Sequence, residues 1–231
     1  MKNYATAALR SATRLGTFAL ATALILGLTY VQTRDPIAES QRRAAEQALL
    51  EVLGTHPFDN DLLTDQLPMS TDLAAALNLD TAAPELRMVR VARLNGEPTG
   101  FIFQAVAPDG YSGAIRLLLG IDRNGQLLGV RAVAHRETPG LGDKIDAKKH
   151  PWISQFAGLS LQNPPLADWA VKPDGGYFDA FTGATITPRA VVGILRTALQ
   201  QYAAERDRLL ALAHEPREQG NEHGEQLNGN Q

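Results

Sequence analysis

Residues 15–33 lie between Arg14 and Arg34 without a single charge, and no other stretch constrains the chain as strongly. Nineteen residues in a helix span about 28 Å, close to the hydrocarbon thickness of a bilayer. The core of the stretch, Leu15 to Val31, is rich in Leu, Ala and Thr. The competing reading is a cleaved signal peptide with Lys2, Arg10 and Arg14 as its basic region. However, Leu28-Thr29-Tyr30-Val31-Gln32 offers no small-x-small cleavage site after the apolar run. The segment is therefore read as an uncleaved transmembrane helix. Lys2, Arg10 and Arg14 precede it and Arg34, Arg42 and Arg43 follow it, so the positive-inside count is nearly balanced. The short N-terminal flank makes an inside N-terminus and an outside domain the simpler topology.

Beyond the span the pattern becomes amphipathic. From Pro36 to Gly54, Glu39, Arg42, Arg43, Glu46 and Glu51 alternate with Ile37, Ala44, Ala45, Ala48, Leu49, Leu50, Val52 and Leu53, which predicts a helix closed by Gly54. Residues 55–85 are punctuated by Asp, Pro and Thr, with a short helix expected near Leu73–Leu79. The period then changes. Leu86–Leu94 and Thr99–Ala107 flank Asn95-Gly96, and Ser112–Ile121 and Gln126–Ala134 flank Arg123-Asn124-Gly125, so two hairpins are expected. Four antiparallel strands in succession need a covered face. The helices at 36–54 and 188–210 are the candidates, giving an α+β domain.

The expected organisation is a short cytoplasmic flank over 1–14, the span over 15–33, and a stalk and helical region over 34–85. A folded domain over 86–212 and a disordered tail over 213–231 complete it. The tail is rich in Gln, Asn, Glu and Gly and has too little apolar surface to offset its ordering entropy. Composition excludes several classes. A net charge of −3 argues against a nucleic-acid partner. The absence of cysteine removes disulfides, thiolate-held clusters and c-type haem. The five histidines show no metal-ligand spacing, so no metal is assigned. Trp152 and Phe156, four apart beside Lys144, Lys148 and Lys149, are read as a core helix face.

Chemistry concentrates in two loops. Asp179-Ala180-Phe181-Thr182-Gly183-Ala184-Thr185-Ile186-Thr187-Pro188 leads into apolar residues at helical spacing, Val191, Val192, Ile194, Leu195, Ala198, Leu199 and Tyr202. Thr187 is the expected N-cap and Pro188 the first helical residue. A helix start bearing exposed N–H groups beside small residues favours an anion, above all a phosphate. The second loop, Glu137-Thr138-Pro139-Gly140-Leu141-Gly142, has a proline and two glycines in four residues and allows close backbone approach to a ligand.

These two loops, with Gly110-Tyr111-Ser112-Gly113 leading into Gly120-Ile121-Asp122, resemble the signature segments of the FMN-binding domain family, in the family's order. Asp-x-x-Thr-Gly-Ala-Thr is similar to the family's flavinylation motif. The resemblance implies FMN joined through its phosphate to Thr185, with Asp179, Thr182, Gly183 and Ala184 as the recognised surround. It further implies that Glu137, Thr138, Pro139, Gly140, Leu141 and Gly142 lie against the flavin.

Together with the anchor, the pattern resembles the G-subunit family of the Rnf/Rsx electron transport complexes over nearly the whole chain. That resemblance implies a covalently flavinylated electron carrier on the periplasmic side of the bacterial inner membrane. It would work among other membrane subunits of a complex coupling ferredoxin:NAD electron transfer to ion movement. A flavin transferase would modify it once, and the chain would have no catalytic residue or independent turnover of its own. The alternatives are the related C subunit of the sodium-pumping NADH:quinone reductase, and a flavin-free periplasmic adaptor or assembly subunit.

Overall fold

The computed structural model describes residues 2–80, 82 and 87–215, with side chains from residue 13 onward. The chain divides into two units, Met1–Gln47 and Ala48–Gln231. Helix α1, Lys2–Leu53, supplies the whole described part of the first and opens the second.

The span and the amphipathic segment, expected as separate elements, form one helix with Pro36 inside it. Proline removes one N–H and leaves the Gln32 carbonyl without its intrahelical donor. The sequences on both sides still favour helix, with Arg42–Glu46 and Arg43–Glu39 pairs at four-residue spacing, each 2.9 Å. The portion from Thr13 is long and apolar enough to cross a membrane, with mean hydropathy 1.6 over its best window. Its threonines return their hydroxyls to the helix: Thr22, Thr29 and Thr33 donate to the carbonyls of Phe18, Ile25 and Thr29 at 2.9, 2.8 and 2.7 Å. Such bonds let hydroxyls sit in an apolar surrounding without an unmet donor. Gly54, at φ +59°, ends the helix and donates its N–H to the Leu50 carbonyl at 2.9 Å.

The second unit is built on a five-stranded antiparallel sheet in chain order, β1 Gln66–Pro68, β2 Met88–Leu94, β3 Glu97–Ala107, β4 Ile115–Asp122 and β5 Leu127–Ala134. The last four are the expected meander. β1 is an addition, and with Leu67, Met69 and the short helix α2, Thr71–Ala76, it brings residues 67–79 into the core. The compact unit thus begins at Ala48, well before the expected boundary at 86. The turns follow the hairpin signals, with Asn95 and Gly96 at φ +53° and +82°. In the other hairpin the Asp122 carboxylate accepts from the N–H groups of Asn124 and Gln126, both at 2.8 Å.

Strand alternation sends two sets of side chains to opposite faces. Phe101, Phe103, Ala105, Leu117, Leu119 and Ile121 pack in one core with Val191, Leu195, Leu199 and Tyr202 of helix α3, Ile186–His214. On the other face Ala92, Ile102 and Leu118 meet Leu49, Val52 and Leu53 from the end of α1. Gly120 and Gly129 are directly paired across β4 and β5. A Cβ on Gly129 would stand 2.6 Å from the Val52 carbonyl oxygen, so this glycine pair is what seats the last turn of α1 on the sheet. Both helices therefore cover the sheet as the α+β reading requires. The tail from 216 onward lies outside the described residues.

Candidate functional site

The segment between β5 and α3 has little regular structure and is held by aromatic packing. Trp152, Ile153 and Phe156 are buried, as the core reading expects, on a 3-10 helix, Pro151–Phe156. Phe156 meets Phe178 at 4.9 Å, Trp169 meets Phe178 at 5.1 Å and Trp152 meets Phe181 at 5.0 Å between ring centroids. Trp169 and Phe178 thus serve the core, while Tyr177 is exposed. Because Phe178 and Phe181 are anchored, the residues between them are fixed, and the Trp152 indole N–H donates to the Asp179 carbonyl at 2.8 Å. The Asp179 carboxylate faces outward and pairs with Lys172 at 2.6 Å.

A tight turn follows. The Ala184 N–H donates to the Phe181 carbonyl at 3.0 Å, with Gly183 at φ +79°. A positive φ at the third residue of such a turn is the position where glycine is least strained. The Glu137–Gly142 loop repeats the device. The Leu141 N–H donates to the Thr138 carbonyl at 3.1 Å, Pro139 and Gly140 hold the two central positions, and Gly140 has φ +79°. The two turns come together, since a Cβ on Gly183 would lie 3.9 Å from Cδ2 of Leu141. Thr138, Pro139, Gly140 and Leu141 are exposed, as are Thr182 and Gly183; Ala184 and Thr185 are half-buried.

Helix α3 begins two residues earlier than expected. Ile186 is its first residue and Thr185 its N-cap, with φ −68° and ψ −28° and no side-chain cap bond. Thr187 is not the N-cap. It is fully buried, and its hydroxyl donates to Oε2 of Glu137. Pro188 therefore sits third, where its missing N–H is still harmless, because the first four helical N–H groups have no intrahelical acceptor. Among the described residues nothing accepts from the N–H groups of Ile186 and Thr187.

Glu137 and Gly142 are buried beneath the exposed part of their loop. Oε1 of Glu137 accepts from the Ser112 N–H at 3.0 Å, so the Gly110–Gly113 turn joins the other two at this carboxylate. The neighbouring Asp143 is held below the usual carboxylate range, first by its hydrogen bond from Lys149 at 2.8 Å. Arg189, in the first turn and a half of α3, clasps Asp174 with two bonds of 2.6 and 2.7 Å, which ties the 172–176 turn to the helix. Beside this helix start a groove of about 470 Å³ opens between Pro108, Asp109, Ile186, Ala190 and Gly193.

All three signature segments thus converge on the start of α3. The Thr185 hydroxyl lies there without a cap bond, beside unpartnered N–H groups, with the apolar side chains of Leu141 and Ile186 partly exposed nearby. This donor set suits a phosphate on the threonine and a flat, largely apolar group beyond it. The Thr187, Ser112 and Arg189–Asp174 contacts were not foreseen. Each joins residues at least 15 positions apart in sequence, although Thr187, Ser112 and Glu137 all stood inside recognised segments.

The FMN-binding domain family matches residues 110–200, and the family described as the RnfG N-terminal region matches residues 1–52. The G subunit of the ion-translocating oxidoreductase complex of Pseudomonas aeruginosa strain PAO1 is 51% identical over 203 residues, 88% of this chain and 92% of that one. The corresponding G subunit of Pectobacterium atrosepticum is 42% identical over 191 residues, 82% of this chain and 88% of that one. That of Aliivibrio fischeri strain MJ11 is 39% identical over 203 residues, 88% of this chain and 94% of that one.

Proposed function

The chain belongs to the family of G subunits of ion-translocating oxidoreductase complexes, and from that premise we propose that it carries FMN covalently on Thr185 and relays electrons between other subunits of such a complex. The observation that carries this reading is the first turn of α3, where a half-buried threonine hydroxyl without a cap bond stands beside free N–H groups. FMN, once attached, supplies one- and two-electron redox chemistry. The residues of the chain do the holding. Thr185 provides the attachment oxygen in a single maturation step with FAD and a flavin transferase. In that step the Thr185 Oγ–P bond forms, the pyrophosphate bond of FAD breaks, AMP leaves and the hydroxyl proton passes to solvent. The N–H groups of Ile186 and Thr187 favour the phosphate charge. Gly183 keeps side-chain bulk out of the approach, and Leu141 and Ile186 offer apolar surface next to the anchor.

No side chain at the site is assigned a role in turnover, so the chain acts as a redox subunit of the complex. Helix α1 anchors it as a single span in the bacterial inner membrane, with the flavin domain on the periplasmic side. Coverage of most of the length of the G-subunit relatives favours this assignment over the C subunit of the sodium-pumping reductase. The test is denaturing electrophoresis of the chain produced together with a flavin transferase, followed by reduction of the flavin within an intact complex. A fluorescent flavin band at the position of the chain is expected. Its absence, with an active transferase present, would favour a flavin-free adaptor.

A further inference from the structure

We propose that Glu137 is the positioning residue of the attachment site: its buried carboxylate locks the first turn of α3 against two glycine loops, so that Thr185 rather than Thr187 presents its hydroxyl to solvent. The inference rests on the reading of Thr185 as the point of FMN attachment. Glu137 is only 5% exposed, too deeply set to meet a ligand on the loop surface. Its two oxygens serve different elements. Oε1 accepts from the Ser112 N–H at 3.0 Å, and Oε2 accepts from the Thr187 hydroxyl.

Two glycines make room for it. A Cβ on Gly110 would stand 2.9 Å from Oε1, and one on Gly142 would stand 2.5 Å from Oε2 and 2.7 Å from Oγ1 of Thr187. The carboxylate therefore occupies the space that two side chains would fill. Burying such a group is unfavourable unless donors meet it, and here a backbone N–H, a hydroxyl and the positive end of α3 do so.

The consequence falls on the three threonines of the motif. Thr187 is turned inward with its hydroxyl engaged, Thr182 stands on the exposed turn, and Thr185 is left at the N-cap. Glu137 takes no part in the bond changes of attachment. It acts by fixing where Thr185 Oγ stands when the pyrophosphate bond of FAD is broken, and small displacements of a reacting atom are costly in rate.

The test uses full-length chain, purified without flavin in detergent and incubated with a flavin transferase and FAD, with covalent flavin followed over time. Glu137→Ala is expected to lower kcat/KM for attachment by about tenfold or more, mainly in kcat, as misplacement of a reacting group does. Thr187→Val should slow attachment in the same sense, because it removes the donor and keeps the shape. Glu137→Gln, which retains an acceptor oxygen and the side-chain volume, should restore much of the rate. Leu195→Ala, a cavity in the same helix far from the loops, controls for stability and should be modified at the wild-type rate. Wild-type rates in both Glu137→Ala and Thr187→Val would overturn the proposal. So would a Leu195→Ala chain slowed as much as Glu137→Ala at equal thermal stability. Failure of the wild-type chain to accept flavin would instead overturn the reading of Thr185.

Discussion

Replacing Gly142 with alanine places a methyl group 2.5 Å from Oε2 of Glu137, 2.7 Å from Oγ1 of Thr187 and 3.0 Å from Cβ of Glu137. Gly142 is buried, and the Glu137 carboxylate is held on its other side by the Ser112 N–H, so neither group can retreat without breaking a bond. Overpacking of this kind costs about 1–3 kcal/mol. Separating Thr187 from a charged acceptor adds about 1.5–3 kcal/mol. The sum, roughly 2–6 kcal/mol, lowers the melting midpoint of a unit this size by about 5–20 °C. Gly140→Ala is the matched comparison. Its φ is +79°, but nothing lies within 4 Å of the new Cβ, so only backbone strain of about 1–2 kcal/mol is expected. Thermal unfolding of the full chain in detergent, followed by circular dichroism, reads both. A Gly142→Ala chain that melts at or above the Gly140→Ala chain would refute the close packing argued for Glu137.

Three further outcomes follow from other parts of the molecule. The Tyr202 hydroxyl is buried without a hydrogen-bond partner among the described residues, and burial pushes its pKa well above the ordinary 10.0; Tyr202→Phe should leave urea stability unchanged or raise it by about 1 kcal/mol, and a clear loss would reveal a missing partner. The Asp143 carboxyl is held below its ordinary 3.8 by Lys149, so its contribution to stability is present above the unfolded value and is lost only as pH falls through the lower folded value. Lys149→Met should remove that contribution, so the urea midpoint of the variant should be lower at about pH 7 and should fall less than the wild type's on going from about pH 5 to pH 3, and identical profiles would contradict the pairing. If α1 is an uncleaved anchor, the chain keeps Met1 and stays in membranes through high-salt washing, while protease on the outer face digests the domain; a soluble form starting near residue 33 would identify a signal peptide instead.

Much of the sheet was readable because its signals are local. Alternation over β2 to β5 and the Asn95-Gly96 and Arg123-Asn124-Gly125 turns lie within a few residues of what they determine. The buried face of α3 was readable for the same reason, since Val191, Leu195, Leu199 and Tyr202 recur at helical spacing. β1 was not, because three residues, Gln66–Pro68, are too few to display a period. Pro36 read as a boundary because local preference disfavours proline inside a helix, yet the flanking segments continue through it. At the site, the motif threonines and both glycine turns could be found by spacing. The inward turn of Thr187 could not, because its cause, Glu137, lies 50 residues away in sequence and the Thr-Pro pair carries a strong N-cap signal of its own.

The most direct measurement on the whole account is the mass of the peptide containing residues 182–188, from wild-type and Thr185→Val chains made alongside a flavin transferase. Valine keeps the β-branched shape and removes only the hydroxyl, and Thr185 makes no cap bond whose loss would confuse the result. The wild-type peptide should gain the mass of FMN less one water, located on Thr185 by fragmentation. The variant should fold, reach the membrane and carry no flavin that survives denaturation. Covalent flavin retained in the Thr185→Val chain, on Thr182, Thr187 or elsewhere, would contradict the assignment.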